Sequence, residues 1–261
     1  MSRERIIATA AALREAERRR TARGRITAAE WPDLDVETAY AVQRALIEAR
    51  LADGERRVGI KLGLTSRAKQ ERMGIDSPLT AVLTDAHILP ADVPVPLDRL
   101  IQPRAEPEIV FVLGRELAGP GVTAAAALAA VDHVLGGIEI IDSRFLGYDF
   151  ALPDVVADNA STALLVLGPE LVPPLGLDLT LEAVALTVDG EVTATATGAA
   201  VQGSPAEALA LAANALADRG ESIPAGSIVF TGGMTDAVPL TAGTVVSAEF
   251  TSLGSIHLSA G

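Results

Sequence analysis

The chain has 261 residues, a formal net charge of -13 and no cysteine. The acidic balance speaks against a nucleic-acid binder, which needs basic surface to meet phosphates. The missing thiols exclude disulfides, thiolate metal ligands and a cysteine nucleophile, and a composition 49% apolar but only 3% aromatic leaves Val, Ile, Leu and Ala to build the core.

The start, Met1-Ser2-Arg3-Glu4-Arg5, carries charge throughout and does not read as a signal peptide. Apolar residues at 6, 7, 10 and 13 predict a helix from 2 to about 20, with Arg18-Arg19-Arg20 complementing its C-terminal dipole and Gly24 ending it. Asp35 is an acceptable N-cap for a second helix that runs past Tyr40, Gln43 and Leu46 to Gly54. The pattern then changes to short strands. The first covers 58–64 with Lys61 in its middle, and a short helix over 67–73 is closed by Gly74. A Pro-rich connection fills 90–103. Strands at 108–113 and 138–141 flank an Ala-rich helix from 123 to about 134. A strand follows at 162–167. Asp189-Gly190 between 184–188 and 192–197 signals a hairpin. Ser204 and Pro205 open a helix that ends near Gly220, and strands at 228–231, 245–250 and 256–258 complete the chain. Helices and strands do not alternate regularly, so the class is α+β with a mixed or antiparallel sheet. A mainly helical segment, 1–75, precedes a β-rich catalytic domain, 76–261. No run of about 18 apolar residues is present, so no membrane span is expected; the absence of cysteine fits the expectation of a cytoplasmic protein.

Three glutamates carry the strongest chemical signal. Glu106 and Glu108 are two apart in Arg104-Ala105-Glu106-Pro107-Glu108-Ile109, and an extended chain points both at one spot. Pro107 cannot donate to a ladder, which places the pair at an edge or a strand start. Glu139 sits in Gly137-Ile138-Glu139-Ile140-Ile141 among apolar neighbours. A buried carboxylate needs donors or a cation, so Glu139 is either paired with Arg or Lys or bound to metal. Convergence of all three calls for a hard divalent cation, Mg²⁺ or Mn²⁺. Lys61, between Gly59 and Gly63, is either a snorkelling edge residue or an ammonium aimed at a substrate carboxylate or oxyanion. Arg144, in Asp142-Ser143-Arg144, either forks onto a substrate carboxylate or pairs with a structural Asp. Asn159 and Ser161 lie in a polar loop, and Thr231-Gly232-Gly233-Met234 is an anion nest or a turn. His87, His133 and His257 share no metal-ligand spacing and read as surface or packing residues.

These pieces, taken together, resemble the 4-oxalocrotonate decarboxylase and 2-keto-4-pentenoate hydratase family within the fumarylacetoacetate hydrolase superfamily. The stretches that carry the likeness are Ala39-Tyr40-Ala41-Val42-Gln43, Gly59-Ile60-Lys61-Leu62-Gly63-Leu64-Thr65-Ser66 and Met73-Gly74-Ile75-Asp76-Ser77-Pro78. Further on they are Gln102-Pro103-Arg104-Ala105-Glu106-Pro107-Glu108-Ile109, Glu139-Ile140-Ile141-Asp142-Ser143-Arg144 and Val156-Ala157-Asp158-Asn159-Ala160-Ser161. The resemblance implies that Glu106, Glu108 and Glu139 hold Mg²⁺ or Mn²⁺ and that Lys61 is an active-site cation. For the reaction this suggests, Asp76 is a candidate for positioning or proton transfer, and Arg144, Asn159, Ser161 and Gly233 are candidates for substrate contacts. It further implies a homo-oligomer, a complex with a paired hydratase, and a role in meta-cleavage of aromatic compounds. Pro107 departs from the small residue expected between the two glutamates, and Ser204 stands where a Gly-His-Pro is common.

Within the family, the paired glycines Gly232-Gly233 resemble the decarboxylases, as does 143–150, which lacks an aspartate-tryptophan pair. The favoured reaction is therefore loss of CO₂ from 2-oxohex-3-enedioate to give 2-hydroxypenta-2,4-dienoate. Hydration of 2-hydroxypentadienoate is the alternative, and a non-catalytic partner subunit a further one. A C–C hydrolase of this superfamily depends on a His–Glu pair, and no histidine precedes His87.

Overall fold

The computed structural model describes residues 2–261, apart from the side chains of Ala68, Lys69 and Arg72. Two helices, α1 (Arg3–Arg19) and α2 (Val36–Ala52), pack against each other at the N-terminus. Asp35 caps α2 as its position predicts, accepting the Thr38 N–H at 2.7 Å. Arg20 rather than Gly24 ends α1: it adopts a left-handed φ of 54°, and its N–H closes back on Glu17 O at 2.9 Å.

The body holds two sheets. β1 (Arg57–Gly63), β2 (Leu79–Thr84), β3 (Arg104–Leu113), β4 (Val131–Ile141) and β5 (Thr162–Leu167) enter the larger one. Short helices α3 (Arg67–Met73), α4 (Ala124–Leu128) and α5 (Leu152–Ala157) connect them. The hairpin β6 (Ala183–Val188) and β7 (Glu191–Thr197) precedes α6 (Pro205–Ala217). β8 (Ile228–Phe230), β9 (Val238–Pro239), β10 (Val245–Phe250) and β11 (Ser255–Ser259) follow. The large sheet has the order β2-β1-β8-β3-β4-β5, with β9 paired to the start of β3. β1 and β8 run parallel, and its other pairs are antiparallel. The second sheet, β11-β10-β6-β7, is antiparallel throughout.

The main core lies between the sheets and α6. There Ile109 and Phe111 of β3 and Ile138 and Ile140 of β4 meet Leu186, Val246, Ala248 and Ile256, with Leu209 and Ala213 from α6. Strand alternation sends Val110, Leu135, Leu165 and Phe230 to the other face of the large sheet, where they form a smaller cluster with Leu83. The three glutamates share that second face by parity.

The structure refines the element assignments. The Ala-rich helix stops at Leu128, and β4 starts at Val131, because residues 131–137 pair with the outer half of β3. β2 was not foreseen: all six of its residues are buried, so it lacks the polar alternation that marks a half-buried strand. α5, six residues long, is too short to display a helical period. Pro107 lies inside β3 opposite Ile138, not at its start, on a stretch whose other side pairs with neither β8 nor β9 and so is locally an edge. Its carbonyl faces the gap between β8 and β9, where it accepts the Met234 N–H at 2.9 Å, so the missing N–H breaks no ladder bond. The division expected near residue 75 falls between β1 and β2, which pair with Lys61 opposite Ala81.

Candidate active site

The register of β3 on β4 builds the centre. Glu106 lies opposite Glu139, and Glu108 opposite Gly137. One carboxylate oxygen from each of Glu106, Glu108 and Glu139 falls within 4.8 Å of the other two. Glu108 and Glu139 are fully buried, and Glu106 is half-buried. A Cβ on Gly137 would come within 2.6 Å of Val110 and 2.8 Å of the Phe230 ring, so only glycine fits beneath them opposite Glu108.

Each buried carboxylate is only partly satisfied. Glu108 Oε2 accepts the Gly232 N–H at 2.7 Å, whereas Oε1 has no hydrogen-bond partner. Lys61 Nζ lies 3.0 Å from both Glu139 oxygens and donates its hydrogen bond to Oε2, leaving Oε1 without one. Burial pushes the Glu108 carboxyl well above the usual carboxylate range, and the charges of Glu139 and Glu106 push it further. Burial also raises Glu139, against the opposing pull of Lys61. Two orphaned acceptors and a third carboxylate at their side fit a hard divalent cation: the donor set is all oxygen, and the ion would supply the missing positive charge.

The paired glycines hold the wall beside it. Gly232 has φ +111°, and a Cβ there would lie 2.1 Å from Thr65 Oγ1. A Cβ on Gly233 would lie 2.4 Å from Glu106 Oε2. In front of the centre opens a cavity of about 570 Å³, walled by Lys61, Arg104, Glu106, Tyr148, Ser161 and Asp236 among others.

The candidate residues divide accordingly. Lys61, Glu106 and Ser161 meet at the cavity, with Glu108 and Glu139 behind it, and Gly233 backs the Glu106 carboxylate. Arg144 is instead buried in an ion pair: its Nε donates to Asp158 Oδ1, and its Nη1 to Asp142 O at 2.8 Å and Thr162 O at 3.0 Å. Asn159 clamps β2, accepting from Val82 N and donating to Val82 O, each at 2.9 Å. Asp76 is exposed and lines a separate depression with Gln70, Gln202 and Glu207. Arg104, Tyr148 and Asp236 at the cavity were not foreseen. Arg104 shares the parity of Glu106 and Glu108, so extending the strand two residues back would have exposed it. Tyr148 and Asp236 carry no such signal.

Fold and site together define a candidate divalent-metal enzyme for a small anion. The chain belongs to the fumarylacetoacetate (FAA) hydrolase C-terminal family, whose model matches residues 60–258. It is 41% identical over 227 residues to a 4-oxalocrotonate decarboxylase of Pseudomonas sp. (strain CF600), covering 87% of this chain and 86% of that one. It is 39% identical over 255 residues to a 2-keto-4-pentenoate hydratase of Paraburkholderia phymatum, covering 98% and 97%. A solved 4-oxalocrotonate decarboxylase from Pseudomonas putida G7, complexed with magnesium and adipate, superposes with a TM-score of 0.97 at 36% identity. It covers 100% of this chain and 99% of that one.

Proposed function

We propose that the chain is a Mg²⁺- or Mn²⁺-dependent carboxy-lyase that converts 2-oxohex-3-enedioate (4-oxalocrotonate) to 2-hydroxypenta-2,4-dienoate and CO₂ in meta-cleavage degradation of aromatic compounds. The observation that carries this reading is the triad Glu106, Glu108 and Glu139, the last two buried, with Lys61 at its side and a cavity in front. The full-length likeness to a magnesium- and adipate-bound decarboxylase supports it.

When bound, the cation supplies Lewis-acid polarisation of the substrate's C2 carbonyl. The C5–C6 bond breaks, its electron pair passes through C4 and C3, and charge collects on the C2 oxygen as CO₂ departs. The Lys61 ammonium, which donates to Glu139, would stabilise that growing negative charge. Lys61 and Glu139 are both buried, and the low local dielectric strengthens the interaction. Ser161 lines the cavity as a contact for substrate oxygens. Arg144 and Asn159 support the cavity wall from behind through Asp158 and Val82.

Hydration of 2-hydroxypentadienoate is the second reading, favoured by the hydratase relative that spans nearly the whole chain. A non-catalytic partner role stands third, and the intact Lys61 and triad speak against it. We infer further a homo-oligomer that pairs with a hydratase in the cytoplasm. None of the described helices is long and apolar enough to cross a membrane. The deciding experiment follows CO₂ release from enzymatically generated 4-oxalocrotonate with Mg²⁺, against an EDTA control. Metal-dependent CO₂ is expected. Its absence, with metal-dependent consumption of 2-hydroxypentadienoate, would make the chain a hydratase.

A further inference from the structure

We propose that Arg104, seated on the ring of Tyr148, binds the second carboxylate of the substrate, so that the site selects 2-oxo dicarboxylates over 2-oxo monocarboxylates. This rests on the function proposed above, which puts the 2-oxo acid end of the substrate at the glutamate triad.

Position is the first support. Arg104, Glu106 and Glu108 occupy one face of β3, and strand residues two apart are separated by roughly 6.6 Å. The backbone of Arg104 therefore stands two residues further along β3 than that of Glu106, and both side chains line the cavity. Preorganisation is the second. The Arg104 Cζ lies 4.2 Å from the centroid of the Tyr148 ring. That ring is itself held: its hydroxyl lies 2.9 Å from Ile141 O and 3.1 Å from Gln102 O. Gln102 in turn donates to Ser143 O at 2.8 Å and Phe145 O at 2.7 Å, and accepts the Gly147 N–H at 3.0 Å. Stacking engages the face of a guanidinium, and its N–H donors lie in the plane at the edge, in the fork that matches a carboxylate.

Charge is the third support. A divalent ion and Lys61 together balance the three glutamates, and Asp236 adds a further carboxylate to the wall, which leaves little net positive charge for a dianion. Among the described lining residues, Arg104 is the cation besides Lys61, and it enters no ion pair there.

The test is calorimetric titration of the Mg²⁺-loaded chain with 2-oxoadipate and with 2-oxohexanoate, which match in carbon number and differ in the distal carboxylate. The wild-type chain is expected to prefer 2-oxoadipate. Arg104→Gln should weaken 2-oxoadipate by about tenfold or more, as expected for a lost charge-assisted fork, and leave 2-oxohexanoate within about twofold. Arg104→Lys keeps the charge and the stem without the fork, so it should fall between the two, and it serves where the glutamine variant fails to fold. Equal loss for both ligands, or loss for neither, overturns the proposal. A wild-type chain that binds both ligands with Mg²⁺ but does not discriminate overturns it alone. A wild-type chain that binds neither in a Mg²⁺-dependent way overturns the triad reading together with it.

Discussion

Gly233→Ala offers a way to disturb the carboxylate centre without touching a ligand. The added Cβ would sit 2.4 Å from Glu106 Oε2 and 2.8 Å from its Cδ, with Thr235 O at 3.2 Å on another side. Ordinary contact begins near 3.5 Å, so the carboxylate has to move by about 1 Å. Metal–oxygen distances tolerate about 0.2 Å, so a displacement of that size removes or strains one of three ligands. The expected loss of Mn²⁺ affinity is about 10- to 100-fold, or roughly 1.4 to 2.7 kcal/mol. Gly233 does not adopt the left-handed conformation that strains other residues, so the methyl group costs the backbone little. Titration with Mn²⁺ followed by its paramagnetic resonance signal measures the affinity, and thermal melting in EDTA measures the fold. Affinity within twofold of the parent chain would refute the placement of Glu106 at the metal. Gly232→Ala is the contrast: with φ +111° and Thr65 Oγ1 at 2.1 Å, it should lower the melting temperature as well.

Other perturbations separate the roles. Glu139→Gln should abolish the Mg²⁺ dependence of turnover, and an unchanged Mg²⁺ titration would remove Glu139 from the ligand set. Lys61→Met should retain metal binding but lower kcat by about 10²-fold or more, the usual cost of losing a donor to a developing oxyanion; full activity would dismiss its proposed role. Arg144→Met strands the buried Asp158 carboxylate, whose pKa burial has already pushed up to about 6. It should cost about 3–5 kcal/mol in urea unfolding, while the KM of the folded enzyme stays near its original value; a selective rise in KM would return Arg144 to the substrate. His87 is buried with Nδ1 accepting the Thr84 N–H at 2.9 Å, and burial lowers its pKa to about 3. The unfolded chain takes up that proton near pH 6.5, so the stabilisation is complete above 6.5 and falls by about 1.4 kcal/mol per unit as pH drops toward 3. His87→Asn should flatten that acid slope in denaturant midpoints measured from pH 4 to 7, and an unchanged slope would refute the assignment.

Local patterns were legible wherever neighbouring residues decide the outcome. Asp35 caps its helix, 67–73 forms a helix closed by Gly74 at φ +68°, and Asp189-Gly190 turns a hairpin with φ 51° and 88°. Each depends on backbone preferences within a few residues. Parity alone put Glu106 and Glu108 on one face, and the flanking isoleucines marked Glu139 as buried.

Pairing across the fold was not legible in the same way. Arg144 and Asn159 carried the right chemistry for substrate contact, yet Asp158 and the backbone of Val82 claim their polar groups first. Asp76 lies in a motif of the family resemblance, but the turn after α3 carries it away from the cavity.

The sequence by itself determined the all-oxygen character of the centre, the α+β class and the family resemblance, because residue type, parity and motif are properties of short stretches. Only the tertiary structure decided that Glu139 faces Glu106, that Lys61 reaches Glu139 across 78 residues, and that Gly232 meets Glu108 across 124. The reason is physical: strand register and loop approach are set by packing of the whole sheet against its core, and no local stretch of chain contains that information.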